Sequence, residues 1–204
     1  MMTSASRADS PRERILEAAK TEFALHGIAG ARVDQIAKSA RTSKERVYAY
    51  FHSKTELYRI VATQEMEAIA AATRLDPTDL PGYAGRVHDY FTAHRDNLRL
   101  MRWGQLELLG NSSDEVVDAM TARKTEQIRR AQLDGHLDPD WDPLDILTFV
   151  SQLATAWADQ APPGRPLNET PDEASAGVAQ AAFLSARRAA IVAAVEKLFP
   201  AAQS

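Results

Sequence analysis

Apolar residues in this chain recur at spacings of three and four, while the strict alternation that a half-buried strand needs is nearly absent. Ser10-Pro11-Arg12-Glu13 has the form of a capping box with proline at the first helical position. Ile15, Leu16, Ala19 and Phe23 follow on one face, and Gly27 supplies a left-handed stop. A short second helix is expected from about Val33 to Ala40, with Val33, Ile36, Ala37 and Ala40 facing inward, and a third from about Ser43 to Phe51. Ser53-Lys54-Thr55-Glu56 caps a longer helix whose apolar stripe is Leu57, Val61, Ala68 and Ile69, ending before Asp76-Pro77.

Residues 77–82 read as a linker, and two helices are expected beyond it, Tyr83 to about Asn97 and Leu98 to about Leu109. Ser112-Ser113-Asp114-Glu115 caps a helix reaching about Leu133, and Asp142-Pro143 starts another through Trp157. After a proline-rich loop over 161–171, Thr170-Pro171-Asp172-Glu173 begins the last helix, which stops at Pro200. The expected fold is therefore all-α, with about nine helices and no internal repeat.

Composition narrows the classes of function. The chain has 204 residues, 45% of them hydrophobic, and no cysteine, which excludes disulfides and thiolate metal sites. No unbroken apolar run of spanning length and no signal-like start is visible, so the expectation is a cytoplasmic protein without a membrane partner. Net charge is −4, but residues 1–60 carry 11 Lys and Arg against 7 Asp and Glu, and the remainder 13 against 21. A basic head thus precedes an acidic body, as suits a module that meets phosphates joined to one that must not.

Within that head, residues 33–51 have the length and pattern of a helix-turn-helix: a supporting helix, a turn, and a short recognition helix whose first turn can face base edges. Val33, Ile36 and Ala37 bury the supporting helix, and Val47 and Phe51 form the inner edge of the recognition helix. The outer edge is left with Thr42, Ser43, Lys44, Arg46 and Tyr50, with Ser43 as N-cap. Arg46 can engage guanine O6 and N7 together, and Lys54, beside helical N–H groups, can clamp a phosphate.

The run Phe23, Gly27, Val33, Ile36-Ala37, Ala40, Ser43, Tyr48, Tyr50-Phe51, Ser53-Lys54 and Leu57 resembles the tetracycline-repressor (TetR) family of transcriptional regulators. The resemblance covers roughly residues 10–60 at motif level. It implies DNA contacts at Thr42, Ser43, Lys44, Tyr48, Tyr50 and Lys54, with Tyr48 and Lys54 on the backbone. It also implies a helix-turn-helix domain over residues 10–56 and an effector-binding and dimerisation domain over 57–204. Two departures stand out. Arg41-Thr42 replaces the family's usual glycine and valine, which removes a left-handed-tolerant residue and adds a cation. Glu45 replaces a small residue, and would pair with Arg41 or accept from a cytosine amino group.

The body carries no comparable motif. Phe91, His94, Met101, Trp103, Gln105, Met120, Phe149, Gln152 and Trp157 are the candidates for lining an effector pocket, and they equally suit a solid core. The last two helices are apolar on more than one stripe, which fits a two-fold interface as well as an intramolecular core. Arg187-Arg188 read as an exposed face of the last helix. Asp134, His136, Asp138 and Asp140 sit in a turn-rich loop where such groups solvate and cap, so no catalytic residue, metal or cofactor is expected. The combined expectation is a homodimeric regulator, a repressor, bound to a palindromic double-stranded DNA operator and released by a small apolar or amphipathic effector. The alternatives are a DNA organiser without sequence preference and a small-molecule carrier or enzyme with a vestigial DNA head.

Overall fold

The computed structural model describes residues 10–108, 115–158 and 173–200. Among these residues the elements are α1 (Pro11–Gly30), α2 (Val33–Ser39), α3 (Lys44–Tyr50), α4 (Lys54–Ala72), α5 (Leu80–Ala93), α6 (Arg95–Leu108), α7 (Glu115–Leu133), α8 (Pro143–Thr155) and α9 (Glu173–Leu198). The all-α expectation holds, and the caps explain most boundaries. Ser10 accepts from the Glu13 N–H at 3.2 Å, Ser43 from Arg46 at 3.3 Å, and Asp142 from Leu144 at 2.7 Å. The capping residues expected at 112–114 and 170–172, and the loop at 161–171, lie outside the described residues.

The described residues form two compact units, one within residues 1–69 and 96–113 and the other within residues 70–95 and 114–204. In the first, α6 joins the N-terminal helices. Ile15, Ala19, Phe23, Ile36, Val47, Phe51, Leu57 and Val61 share one buried cluster with Leu100 of α6. Phe23 and Tyr58 meet edge to face at 5.4 Å, and the Tyr58 hydroxyl donates to the Leu100 carbonyl at 2.8 Å. In the second unit α5 packs against α8 and α9, and α7 against α8. Its core includes Leu80, Tyr83, Val87, Ile128, Ile146, Val150 and Val195.

Several sequence expectations shift. The α1 backbone does break at Gly27 (φ 69°, ψ −177°), but one more turn follows before Ala31. On α4, Tyr58 and Ala62 are buried beside Leu57 and Val61, whereas Ala68 is exposed and Ile69 half-buried. Those two lie on the predicted face but about 16 to 18 Å further along the axis than Leu57, past the last α4 residue of the head's core. The supposed linker ends early because Asp79 caps at Leu80, with Gly82 N–H donating to it at 2.8 Å. The α5–α6 break falls at His94 rather than after Asn97, which is buried.

Over Gly177–Leu198, α9 is long and apolar enough to cross a membrane by length and composition. Its two arginines nevertheless engage protein partners rather than forming a free surface. Arg188 Nε donates to both carboxylate oxygens of Asp89 on α5, at 3.0 and 2.8 Å, and the Arg187 guanidinium lies 4.9 Å over the Trp157 ring.

Candidate nucleic-acid interface

The turn between α2 and α3 is set by the chain itself. Thr42 N–H donates to the Ala37 carbonyl at 2.9 Å and Arg41 N–H to Lys38 at 3.1 Å, the bond pair of a Schellman stop. That stop demands a left-handed residue, and Arg41 fills it at φ 53°, the position where glycine would be unstrained. Arg14 Nε donates to the Ala40 carbonyl at 3.3 Å and helps satisfy the same helix end.

Val47 and Phe51 are 1% exposed and Ile36 is fully buried, so the inner edge of the helix-turn-helix is scaffold. The opposite side of α3 faces solvent. At 100° per residue, Glu45 and Ala49 lie farthest from Val47, with Lys44 and Tyr48 on one flank and Arg46 and Tyr50 on the other. Both tyrosines are 42% exposed. Arg41, Lys44, Glu45, Arg46 and Ala49 are exposed as well, while Thr42 is half-buried with an unpartnered buried hydroxyl oxygen. Ala49 was missed by sequence reasoning, although its place two residues from Val47 already put it outward. A methyl there leaves room for close approach and can meet a thymine methyl.

Charges along this edge differ in their surroundings. Lys44 Nζ lies 3.1 Å from Asp34 on α2, an exposed pair that a phosphate can replace at little cost. Among the described residues, the Arg41 and Arg46 side chains have no hydrogen-bond or ion-pair partner. Among the described residues, Glu45 pairs with neither Arg41 nor any other arginine. Its carboxyl is held below the usual range by hydrogen bonds from its own backbone N–H and then from Ser43, with Lys44 adding a smaller attraction. Glu45 and Ser43 thus complete the start of α3 together. Lys54 is turned inward: its Nζ donates to the Ala29 carbonyl at 2.9 Å and to Ala31 at 3.0 Å, which leaves one N–H direction for a phosphate.

The nine pocket candidates are divided between the two units. Met101 and Trp103, on α6, pack in the first unit, with Met101 against its core and Trp103 beside Gly27, and Gln105 there is exposed. In the second unit Phe91 is buried, Met120 and Trp157 are half-buried, and Phe149 and Gln152 are exposed. His94 is exposed and its ring stacks 4.6 Å from Tyr90. An open groove of about 260 Å³ in this unit, lined by Asp118, Thr121, Arg129 and Leu144 among others, uses none of them. Buried polar atoms without partners do occur at His88 Nε2, Thr92 Oγ1 and Arg187 Nε. Sequence reasoning passed over His88, yet its spacing from Ala84, Val87 and Phe91 places it on the buried face of α5. The acidic loop is structural: Gln132 Nε2 donates to the Asp138 and Trp141 carbonyls, both at 2.8 Å, and Asp138 accepts from Asp140 N–H at 2.9 Å.

Comparison with known proteins places the chain. Residues 15–61 match the family model of bacterial regulatory proteins, tetR family, and residues 79–197 match the tetracyclin repressor-like C-terminal domain. The chain is 36% identical to the HTH-type transcriptional repressor SCO4008 of Streptomyces coelicolor, over 76% of this chain and 81% of that protein. It is 30% identical to the HTH-type transcriptional regulator RutR of Escherichia coli, over 77% and 78%. Among solved structures, SCO4942 of Streptomyces coelicolor, a provisionally assigned transcriptional regulator, matches at TM-score 0.76 and 52% identity over 94% of this chain and 99% of that one. With the exposed basic edge of α3 held on a buried scaffold, these matches make the chain a DNA-binding transcriptional regulator that belongs to the TetR family.

Proposed function

We propose that the protein works as a homodimeric repressor in the cytoplasm, bound to a palindromic operator and released by a small apolar or amphipathic effector. The observation that carries the DNA-reading half is the sorting of α3 into a buried edge and an exposed edge bearing Lys44, Arg46, Tyr48 and Tyr50. Arg41, Thr42, Ser43 and Lys54 complete the proposed contact set, with Arg46 reading a base and the others positioning the helix on phosphates. On this reading residues 10–56 are the DNA-binding domain and 57–204 the effector-binding and dimerisation domain.

Dimerisation through the last two helices is supported by large apolar side chains left exposed there: Leu144 at 50%, Phe149 at 44%, Val178 at 71% and Leu198 at 43%. A two-fold dimer would set its recognition helices in successive major grooves about 34 to 36 Å apart. Repression is the action named for the SCO4008 relative. An effector would act by binding the body in a form that the operator-bound state disfavours, a coupling of about 1–3 kcal/mol.

Affinity selection of random DNA with the full chain, followed by footprinting, tests this. Two matching half-sites one helical turn apart are expected. A footprint without a preferred palindrome, together with no ligand-induced thermal shift across a small-molecule library, would instead identify a DNA organiser without an effector.

A further inference from the structure

The break in α1 has an unusual partner. At Gly27 the backbone leaves helical geometry, so the N–H groups just beyond it lose their carbonyls four residues back. The carboxylate of Glu107 on α6 takes their place: Ile28 N–H donates to Oε1 at 3.0 Å and Ala29 N–H to Oε2 at 2.6 Å, across nearly eighty residues of sequence. The opposite end of the same turn is held by Lys54, whose ammonium donates to the carbonyls of Ala29 and Ala31. An anion at the N–H end and a cation at the carbonyl end both follow the dipole of the turn. Close behind, Arg32 N–H donates to Glu22 at 3.0 Å, and α2 begins at Val33.

The contact leaves no room for another residue at position 27. A Cβ there would run into Glu107 Oε1 and come within 2.9 Å of the Trp103 ring, and the φ of +69° is strained for any side chain. The turn so clamped is the connection through which α1 passes the chain to the helix-turn-helix. It leads directly into α2, whose Val33, Ile36 and Ala37 pack in the same core as Val47 and Phe51.

We propose that Glu107 is a positioning residue for DNA binding: from α6, without touching DNA, it fixes the end of α1 and so presets the recognition helix. A carboxylate of this length is needed, because both oxygens are used and aspartate is one methylene short. Glutamine preserves the volume but brings a donor against one of the two N–H groups.

The test uses the full chain and the DNA fragment that the wild-type protein selects, with wild-type binding as the reference, so a failure of the regulator reading itself shows first in the wild type. Amide exchange is followed by 15N NMR and affinity by titration at two or more salt concentrations. In Glu107→Ala the Ile28 and Ala29 amides should exchange at least about tenfold faster while Val47 and Phe51 keep their protection, and Kd should rise about tenfold at an unchanged salt slope. Glu107→Gln, which keeps the packing, should lie between, and it decides the matter if the alanine variant fails to fold. Wild-type affinity despite lost protection of the two amides would overturn the proposal. So would unchanged exchange at Ile28 and Ala29, or a salt slope that falls with the affinity, which would mean that phosphate contacts themselves had been lost.

Discussion

The head and the body of this protein are finished to different degrees. In the unit that carries the helix-turn-helix, Arg14, Lys54 and Glu107 meet backbone groups at the α1–α2 and α2–α3 turns, and Thr42 Oγ1 is the one buried side-chain polar atom without a partner among its described residues. In the body, His88 Nε2, Thr92 Oγ1 and Arg187 Nε are all buried without partners among the described residues, and α8 and α9 expose large apolar side chains. An unpartnered buried polar atom costs about 1–3 kcal/mol. On the proposed reading the head needs only DNA along one edge, while the unpartnered polar atoms and exposed apolar faces of the body fit an effector and a second copy of the chain.

The largest expected effect attacks the head's scaffold. Phe51→Ala removes a fully packed ring from the centre of the cluster and should cost about 3–5 kcal/mol in denaturant unfolding, with loss of DNA retardation. Should the ring prove dispensable, the division into scaffold edge and reading edge fails. Arg46→Ala leaves the scaffold untouched and should cost about 1–3 kcal/mol of operator affinity, relaxing selectivity at one base pair in a competition assay. Uniform weakening across all sequences would reassign Arg46 to phosphate.

Two smaller effects separate head from body. Arg41→Gly relieves the left-handed strain and should stabilise the fold by about 1 kcal/mol, while the salt slope of DNA binding drops by about one per subunit if the guanidinium meets a phosphate. Thr92→Val deletes an unpartnered buried hydroxyl at constant shape and should raise stability by up to about 1 kcal/mol in the unliganded protein. A clear destabilisation would show that a partner already occupies Thr92, and the body would then be as complete as the head.

Legibility in the sequence followed the same divide. The head could be read because its signals are local: the capping residues Ser10, Ser43 and Ser53, the stop at Gly27, and inner residues at three- and four-residue spacing. Even there, the inward turn of Lys54 and the reach of Glu107 were hidden, because both depend on carbonyl and N–H groups brought close only by folding. In the body, helix existence was legible, but which faces pack was not. Phe149 and Gln152 carry the chemistry of pocket residues and lie exposed, whereas His88, on an ordinary apolar stripe, is 1% exposed. Tertiary pairing of α5 with α8 and α9 decides those positions, and no short motif encodes it.

Salt dependence of operator binding tests the central claim most directly. A dimer that lays both α3 edges on DNA with about 6 to 10 phosphate contacts should lose about 10³ to 10⁵ in affinity between 50 and 200 mM salt. Affinity that stays level across that range would contradict the assignment of this edge as the surface that meets DNA.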